Sequence, residues 1–408
     1  MARPEVVVIG AGAAGLVAAI FAARRGAEVL VVESTAEGGK KILISGGGRC
    51  NVLPSQLAAE RFVTDSAPHL MRGLLRSWPL AQQRAFFERD LDVPLALEEE
   101  TGKLFPVSNR ARDVRDALQS RARQAGVQFH FGRSISKVEQ VNGDWRLHNT
   151  AGMLEAGRVI VATGGLSVPA TGSDGTGLRF VEALGHRLTP LYPALTPLIA
   201  NPARHQSLSG ISLSVRLRAR ATSESKIVET TGGFLFTHRG YSGPSVLDIS
   251  HVATRNPGAV IRTQWSPLTS VGWADALLPR NALVNTAMSA HVPQRLALQL
   301  MHECGVPAER RLNELRRAER VALIAALTAY VLPWTSDEGF KKAEVTGGGV
   351  ALEEVHPGTL ESRRCRGLFL CGEMLDAFGP IGGHNFAWAW ATGRLAGIGA
   401  SQSRHEEV

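Results

Sequence analysis

The chain has 408 residues, 44% hydrophobic and 20% charged, with 43 Gly and 20 Pro; that composition excludes a disordered or collagen-like protein and suits two or three domains. Four cysteines (Cys50, Cys304, Cys365 and Cys371) in this length exclude a disulfide scaffold, their lack of CxxC pairing argues against a zinc ribbon or knuckle, and no metal site is expected. Forty-five Lys and Arg against 37 Asp and Glu give a net charge of +8, which favours anionic small molecules and permits nucleic acid without demanding either.

The first unit begins with Val6-Val7-Val8-Ile9, a β-branched run of the kind a buried parallel strand needs. Gly10-Ala11-Gly12-Ala13-Ala14-Gly15 follows at once. Leu16 to Arg25 reads as an Ala-rich helix closed by Gly26. Val29-Leu30-Val31-Val32 is the second strand, with Glu33 at its end. This is a strand–helix–strand unit of the dinucleotide-binding kind. The uncharged run from Val6 to Ala23 has the length of a membrane span, but its three glycines divide it into strand, turn and helix. With no basic leader before it, a soluble cytoplasmic protein is expected.

Gly39 to Asn51 reads as a glycine-rich loop. Residues 57–125 read as largely helical, interrupted at Glu100–Pro106, and Val127 to His148 as strands. Arg158-Val159-Ile160-Val161-Ala162 is another buried strand running into Thr163-Gly164-Gly165. Pro190, Pro193 and Pro197 mark a crossover into a second domain. Residues 211–275 read as strands: Val215, Leu217 and Ala219 alternate with Arg216, Arg218 and Arg220, a period of two, and the arginines are expected on a wet face rather than in an anion clamp. Residues 279–331 read as helices broken at Pro293 and Pro307. Within them, Arg310 to Arg320 is interleaved with Glu314 and Glu319 and reads as a solvated helix face. The first texture returns at Thr346-Gly347-Gly348-Gly349. Leu368-Phe369-Leu370-Cys371 is one more buried strand, and Asn385 to Ala396 reads as a closing helix.

The glycines have separate jobs. Gly10 permits the tight turn, Gly12 lets the backbone approach a pyrophosphate, and Gly15 with Ala19 lets helix and sheet pack closely. The helix N-terminus then faces the phosphates with free N–H groups, joined by Ala13 and Ala14. Glu33, 18 residues past Gly15, stands where an acid accepts hydrogen bonds from a ribose diol and repels a 2′-phosphate. FAD and NAD both fit, and NADP does not. The C-terminal segment decides between them: the strand ending in Gly372-Glu373 resembles the second FAD fingerprint of the glutathione-reductase-type flavoproteins, in which an acid binds the ribityl chain. Gly379–Asn385 and the helix after it would then aim a helix N-terminus at the flavin.

Six segments resemble a bacterial family of NAD(P)/FAD-dependent oxidoreductases that includes aminoacetone oxidase and a bile-acid dehydro-reductase. They are Lys40–Asn51, Gly102–Val114, Val161–Gly177, Phe236–Ser250, Glu344–Val350 and Cys371–Gly397, spread over nearly the whole chain. The resemblance implies an α/β fold: a glutathione-reductase-type FAD-binding Rossmann domain (residues 1–188 and 343–408), interrupted by a β-barrel-like domain (189–277 with 335–342) and a small helical domain (278–334). It implies FAD as cofactor. The cofactor-binding residues it implies, with the glycine motif, are Gly10, Gly12, Ala13, Ala14, Gly15, Glu33, Ser34, Lys41, Ser45, Gly46, Gly47, Arg49, Cys50, Asn51, Ala162, Thr163, Gly164, Gly165, Gly372, Glu373, Asp376, Gly382, Gly383, His384 and Asn385. Two departures stand out: Val52-Leu53-Pro54 where the family commonly has Thr-Asn, and His384 where many members have Tyr.

Cys50 has no second cysteine near it in sequence, so no local dithiol forms and the thiol reads as a small buried residue. His384 is the catalytic candidate, as a proton donor beside the flavin, with a purely hydrogen-bonding role as the other reading. His238 and Tyr241 are candidates for the substrate side. The expected activity is two-electron oxidation or reduction of a small molecule through the flavin, with O₂ or NAD(P)H as the transient redox partner. No second GxGxxG offers a separate nicotinamide domain. Neither a membrane nor nucleic acid is expected as a partner, and the sequence leaves the oligomeric state open. An RNA-modifying flavoprotein, a flavin-binding protein without turnover and a pure NAD dehydrogenase remain as alternatives.

Overall fold

The computed structural model describes residues 4–402. The chain forms two compact units, one from the residues up to Tyr192 together with those from Val345 onward, the other Pro193–Glu344.

The first unit is built on a five-stranded parallel sheet, in the order Leu368–Leu370, Arg158–Val161, Val6–Ile9, Val29–Val32, Gln128–His130. Val8 lies beside Ile160 on one side and Val31 on the other. Every residue of the Val6–Ile9, Val29–Val32 and Arg158–Val161 strands is buried, which is why the sequence reads as unbroken apolar runs.

The first helix spans Ala13–Ala23, beginning three residues earlier and ending two residues earlier than the Leu16–Arg25 stretch, and the last spans His384–Ser401, running past both ends of Asn385–Ala396. They pack on each other through small residues. A Cβ on Gly393 would stand 2.3 Å from the Ala14 carbonyl oxygen, and one on Gly397 2.2 Å from that of Ala18. Two backbones can approach this closely only where one lacks side chains.

Several local readings change. Residues Lys40–Ile44 coil into a short helix before the glycines, so the loop proper is Ser45–Asn51. The helical region contains Pro68–Arg76, Leu80–Ala85 and Ala111–Gln124, and Leu95–Glu98 pairs with Lys103–Pro106 as a hairpin where only an interruption was expected. Ile135–Val141, Asp144–Asn149 and Gly152–Ala156 form an antiparallel meander. Val345–Val350 is a buried strand paired with Leu188–Ala194. Thr189 Oγ1 accepts from Gly349 N (3.0 Å) and reaches its carbonyl oxygen (3.3 Å).

The second unit carries a seven-stranded sheet in the order Tyr330–Val331, Val260–Gln264, Ser212–Arg220, Val228–Phe236, Gly240–Ser242, Leu198–Ile199, Ser336–Asp337, with antiparallel pairing throughout. Val215, Leu217 and Ala219 are buried and Arg216, Arg218 and Arg220 exposed, the alternation of a sheet with one wet face. Pro244–Arg255 is a helix where strand was expected; Pro244 opens it at a position where its missing N–H does no harm. Val246, Ile249 and Val252 give it a buried stripe at helical spacing. One apolar core runs from this sheet into the helices Ser270–Ala276, Val284–Ser289, Gln294–Glu303 and Arg317–Thr328. Among the described residues, no helix is long and apolar enough to cross a membrane.

Candidate cofactor site

The carboxyl ends of the parallel strands are where ligands bind in open α/β sheets, and the glycine motif lies there. Gly10 turns at φ +105, and a Cβ on it would be 2.6 Å from the Ala162 carbonyl oxygen. A Cβ on Gly15 would be 2.0 Å from the Gly10 carbonyl oxygen. Gly12 is different: no atom lies within 4 Å of where its side chain would begin, and its φ is −80. Gly10 and Gly15 are thus required by packing, while Gly12 borders open space. No side chain caps the Ala13–Ala23 helix, so its N-terminus faces that space with peptide N–H groups. These features suit a pyrophosphate.

Glu33 is buried, with Oε2 accepting from Ala11 N (2.7 Å) and Oε1 from Thr35 N (2.7 Å). Ser34 Oγ lies 3.4 Å from Oε1. The main chain therefore fixes the carboxylate beside the glycine turn, and lone pairs remain for hydroxyl donors.

A second group gathers around Glu373. Lys41 Nζ lies 2.5 Å from Glu373 Oε2 and 2.5 Å from Ser167 Oγ. Glu373 Oε1 accepts from Thr346 N and Thr346 Oγ1, both at 3.0 Å, and from Ser167 Oγ. Gly164 and Gly165 pass directly over this cluster: a Cβ on Gly165 would be 2.3 Å from Thr346 Oγ1. Thr163 Oγ1 next to them is buried without a hydrogen-bond partner. Ser167 and Thr346 were absent from the expected set; their signal was present, since both sit inside segments that carry the family resemblance.

Gly46 and Gly47 have φ +55 and +67, and no atom lies within 4 Å of a Gly47 Cβ. Ser45 turns its hydroxyl back to the Ile42 carbonyl (2.7 Å). Arg49 pairs with Glu98 (3.0 Å) and stacks 3.9 Å above the Phe105 ring. Cys50 is fully buried, and burial pushes its thiol up to about 12; all four cysteines are free. Asn51, with its amide oriented to satisfy both ends, donates to the Leu53 carbonyl (3.2 Å) and accepts from Gly383 N (3.0 Å).

The C-terminal loop is clamped from within. Asn385 accepts from Gly379 N (2.9 Å) and donates to the Gly379 carbonyl (2.9 Å). Gly383 has φ +92, and its Cβ would fall 2.6 Å from the Leu53 carbonyl carbon. A Cβ on Gly372 would touch that of Ala14 at 2.9 Å. His384 is buried; Nδ1 is 3.3 Å from the Ile381 carbonyl and Nε2 is 3.4 Å from Ala58 N. Burial lowers its pKa to about 4, so the ring is neutral at pH 7, with both nitrogens directed at main chain. Asp376 is held by residues 65 and 66. Its Oδ2 accepts from Ser66 Oγ (2.7 Å), Ser66 N (2.8 Å) and Asp65 N (3.0 Å), and burial raises its pKa. In the second unit, Tyr241 is buried with its hydroxyl 3.0 Å from His205 Nδ1, and His238 is exposed.

The family described as HI0933-like protein Rossmann domain matches residues 4–399. The chain belongs to that family. Family and fold make FAD the cofactor of this HI0933-like oxidoreductase. It is 30% identical over 407 residues to the 3-dehydro-bile acid delta(4,6)-reductase of Clostridium scindens, covering 97% of this chain and 98% of that one. It is also 30% identical over 397 residues to the ribosomal RNA dihydrouridine synthase of Escherichia coli, covering 96% of each. Among solved structures, the 3-ketosteroid-delta4-(5alpha)-dehydrogenase of Rhodococcus jostii RHA1 shares the fold, with a TM-score of 0.50 at 16% identity over 98% of this chain and 97% of that one.

Proposed function

We propose that this HI0933-like protein is an FAD-dependent reductase of a ring carbon–carbon double bond activated by a carbonyl. The observation that carries this is similarity along nearly the whole chain to two relatives named for reductions: a bile-acid delta(4,6)-reductase and a dihydrouridine synthase. A 3-oxo-steroid diene and a uracil ring share one reactive element, a C=C whose far carbon accepts hydride because the carbonyl takes up the developing charge.

Gly12 and the uncapped Ala13–Ala23 terminus would hold the pyrophosphate, and Glu33 the adenosine ribose. Lys41, Gly164, Gly165 and Glu373 would flank the middle of the cofactor, and Gly47, Asn51, Gly382 and Gly383 its flavin end. Bound FAD supplies hydride transfer in either direction. The protein's part is placement. Asn51 and Asn385 fix the Gly379–Gly383 turn, and a neutral His384 braces it against residue 58. A protein-dithiol route lacks support: Cys50 has no partner cysteine near it in sequence and keeps its proton at neutral pH. Reducing equivalents would come from NAD(P)H visiting the flavin directly.

The experiment is anaerobic. The protein should purify yellow and release FAD on heating. NADH or NADPH should bleach the flavin, and an α,β-unsaturated ring ketone should restore it. A flavin that only O₂ reoxidises would make the protein an oxidase and overturn the proposal.

One observation favours a uracil carried in RNA over a free ring as the natural substrate. Pro193–Glu344 holds 17 Lys and Arg against 11 Asp and Glu, so six of the eight net positive charges lie in this unit.

A further inference from the structure

The basic excess of the second unit has a focus on its sheet. Arg216, Arg218 and Arg220 point to the exposed face of Ser212–Arg220. Arg262, exposed on the neighbouring Val260–Gln264 strand, lies directly opposite Arg218. Like charges directly opposite one another on adjacent strands destabilise a sheet. One carboxylate answers the row: Glu229, opposite Arg218 on the other side, lies 2.6 Å from Arg218 Nε and 3.5 Å from Arg216 Nε. Arg220 and Arg262 reach main-chain carbonyls instead, of Ser223 (3.0 Å) and Ala329 (3.4 Å). Four guanidinium groups against one carboxylate leave this face strongly positive.

We infer that the Arg216–Arg218–Arg220–Arg262 face docks the phosphate backbone of RNA, an inference that rests on the RNA-borne reading of the substrate. Alternate residues on a strand recur about every 6.8 Å and neighbouring strands lie about 4.8 Å apart, so the forks form a two-row grid on a rigid sheet. Each fork can take a phosphate through two parallel charge-assisted bonds. Exposed Ser212, Ser214 and Thr231 share the face; they suit hydrogen bonding to sugar and phosphate. No aromatic side chain stands between these arginines on the Ser212–Arg220 strand, so the face suits a backbone rather than stacked bases.

The test uses the whole FAD-loaded protein. Its binding to protein-free ribosomal RNA is measured between 50 and 200 mM salt, beside Arg216→Gln/Arg218→Gln/Arg220→Gln/Arg262→Gln. A control with the same charge change, Arg25→Gln/Arg72→Gln/Arg76→Gln/Arg89→Gln, alters four exposed arginines of the first unit. Neutralising phosphates makes log K fall with log salt by about 0.7–0.9 per contact. The sheet variant should lose at least tenfold in affinity at 100 mM salt, with a salt slope shallower by about 3. The control should stay within about threefold of wild type, and both variants should still reoxidise reduced flavin with a free ring ketone. Unchanged affinity in the sheet variant overturns the inference, as does an equal loss in the control. It also falls if wild type ignores RNA but sediments with vesicles of phosphatidylserine and phosphatidylcholine. Failure of ketone reoxidation in wild type would strike the reductase proposal separately.

Discussion

At the scale of single residues, position in the fold decides what each chemical group does. His384 takes up a proton at about 4 in the folded chain against an ordinary 6.5. As pH falls from 6.5 to 4, the unfolded chain binds a proton that the folded chain refuses, so folding loses stability on acidification and nothing changes above 6.5. The loss from this one ring reaches about 2 kcal/mol at pH 5. His384→Gln should therefore show a smaller drop in melting temperature between pH 7 and pH 5 than wild type, measured on matched FAD-loaded samples. Cys50 gives a second prediction. A buried thiol with its pKa at about 12 should resist iodoacetamide at pH 8 until the protein is unfolded, by peptide mass mapping. Cys50→Ser should retain flavin and most turnover. Gly12 gives a third. Its surroundings are open and its φ is unexceptional, so Gly12→Val should keep the circular dichroism and melting temperature of the FAD-free protein. It should fail to take up FAD, because the valine fills the space that a pyrophosphate needs.

At the scale of elements, close approach of backbones dominates. Gly393 and Gly397 bring the closing helix onto the first one, with their missing Cβ positions 2.3 and 2.2 Å from carbonyl oxygens. Gly397→Ala forces the pair apart and should cost about 1–3 kcal/mol in chemical denaturation, as overpacking does. An alanine at Gly126, with no atom within 4 Å of its Cβ but φ +91, tests backbone strain alone. What the sequence showed and what it hid follow from the same physics. The parallel strands were readable because burial on both faces demands an apolar run at Val6–Ile9, Val29–Val32 and Arg158–Val161. The Pro244–Arg255 helix was hidden inside a strand-rich stretch, where a short apolar pattern fits either element. The glycine turn and Glu33 were legible as a local motif. The grip of Ser167 and Thr346 on Glu373 was not, since it joins residues 206 and 27 positions apart in the chain.

At the scale of the whole molecule, two apolar cores stand behind two units. Tyr241, Trp265, Trp273 and Phe234 belong to one, and the parallel sheet with its helices to the other. A ligand stabilises only what it binds, by about 2.7 kcal/mol at one hundred times its Kd. Calorimetry with and without excess FAD should thus move one unfolding transition upward and leave the other near its original temperature. The seam between Leu188–Ala194 and Val345–Val350 extends that argument. The chain leaves the parallel-sheet unit and, after 152 residues, comes back along the strand it left by. Gly347 and Gly348 seal the join: Cβ atoms there would fall 2.2 Å from the Tyr192 ring and 2.1 Å from the Pro190 carbonyl oxygen. In polymer terms the second unit is a loop already closed at its neck, so exchanging its contents makes little new demand on the scaffold's closure entropy. Pro193–Glu344 is thus one continuous stretch of gene whose sequence can change, or whose length can grow, without reopening the chain closure on which the parallel-sheet unit depends.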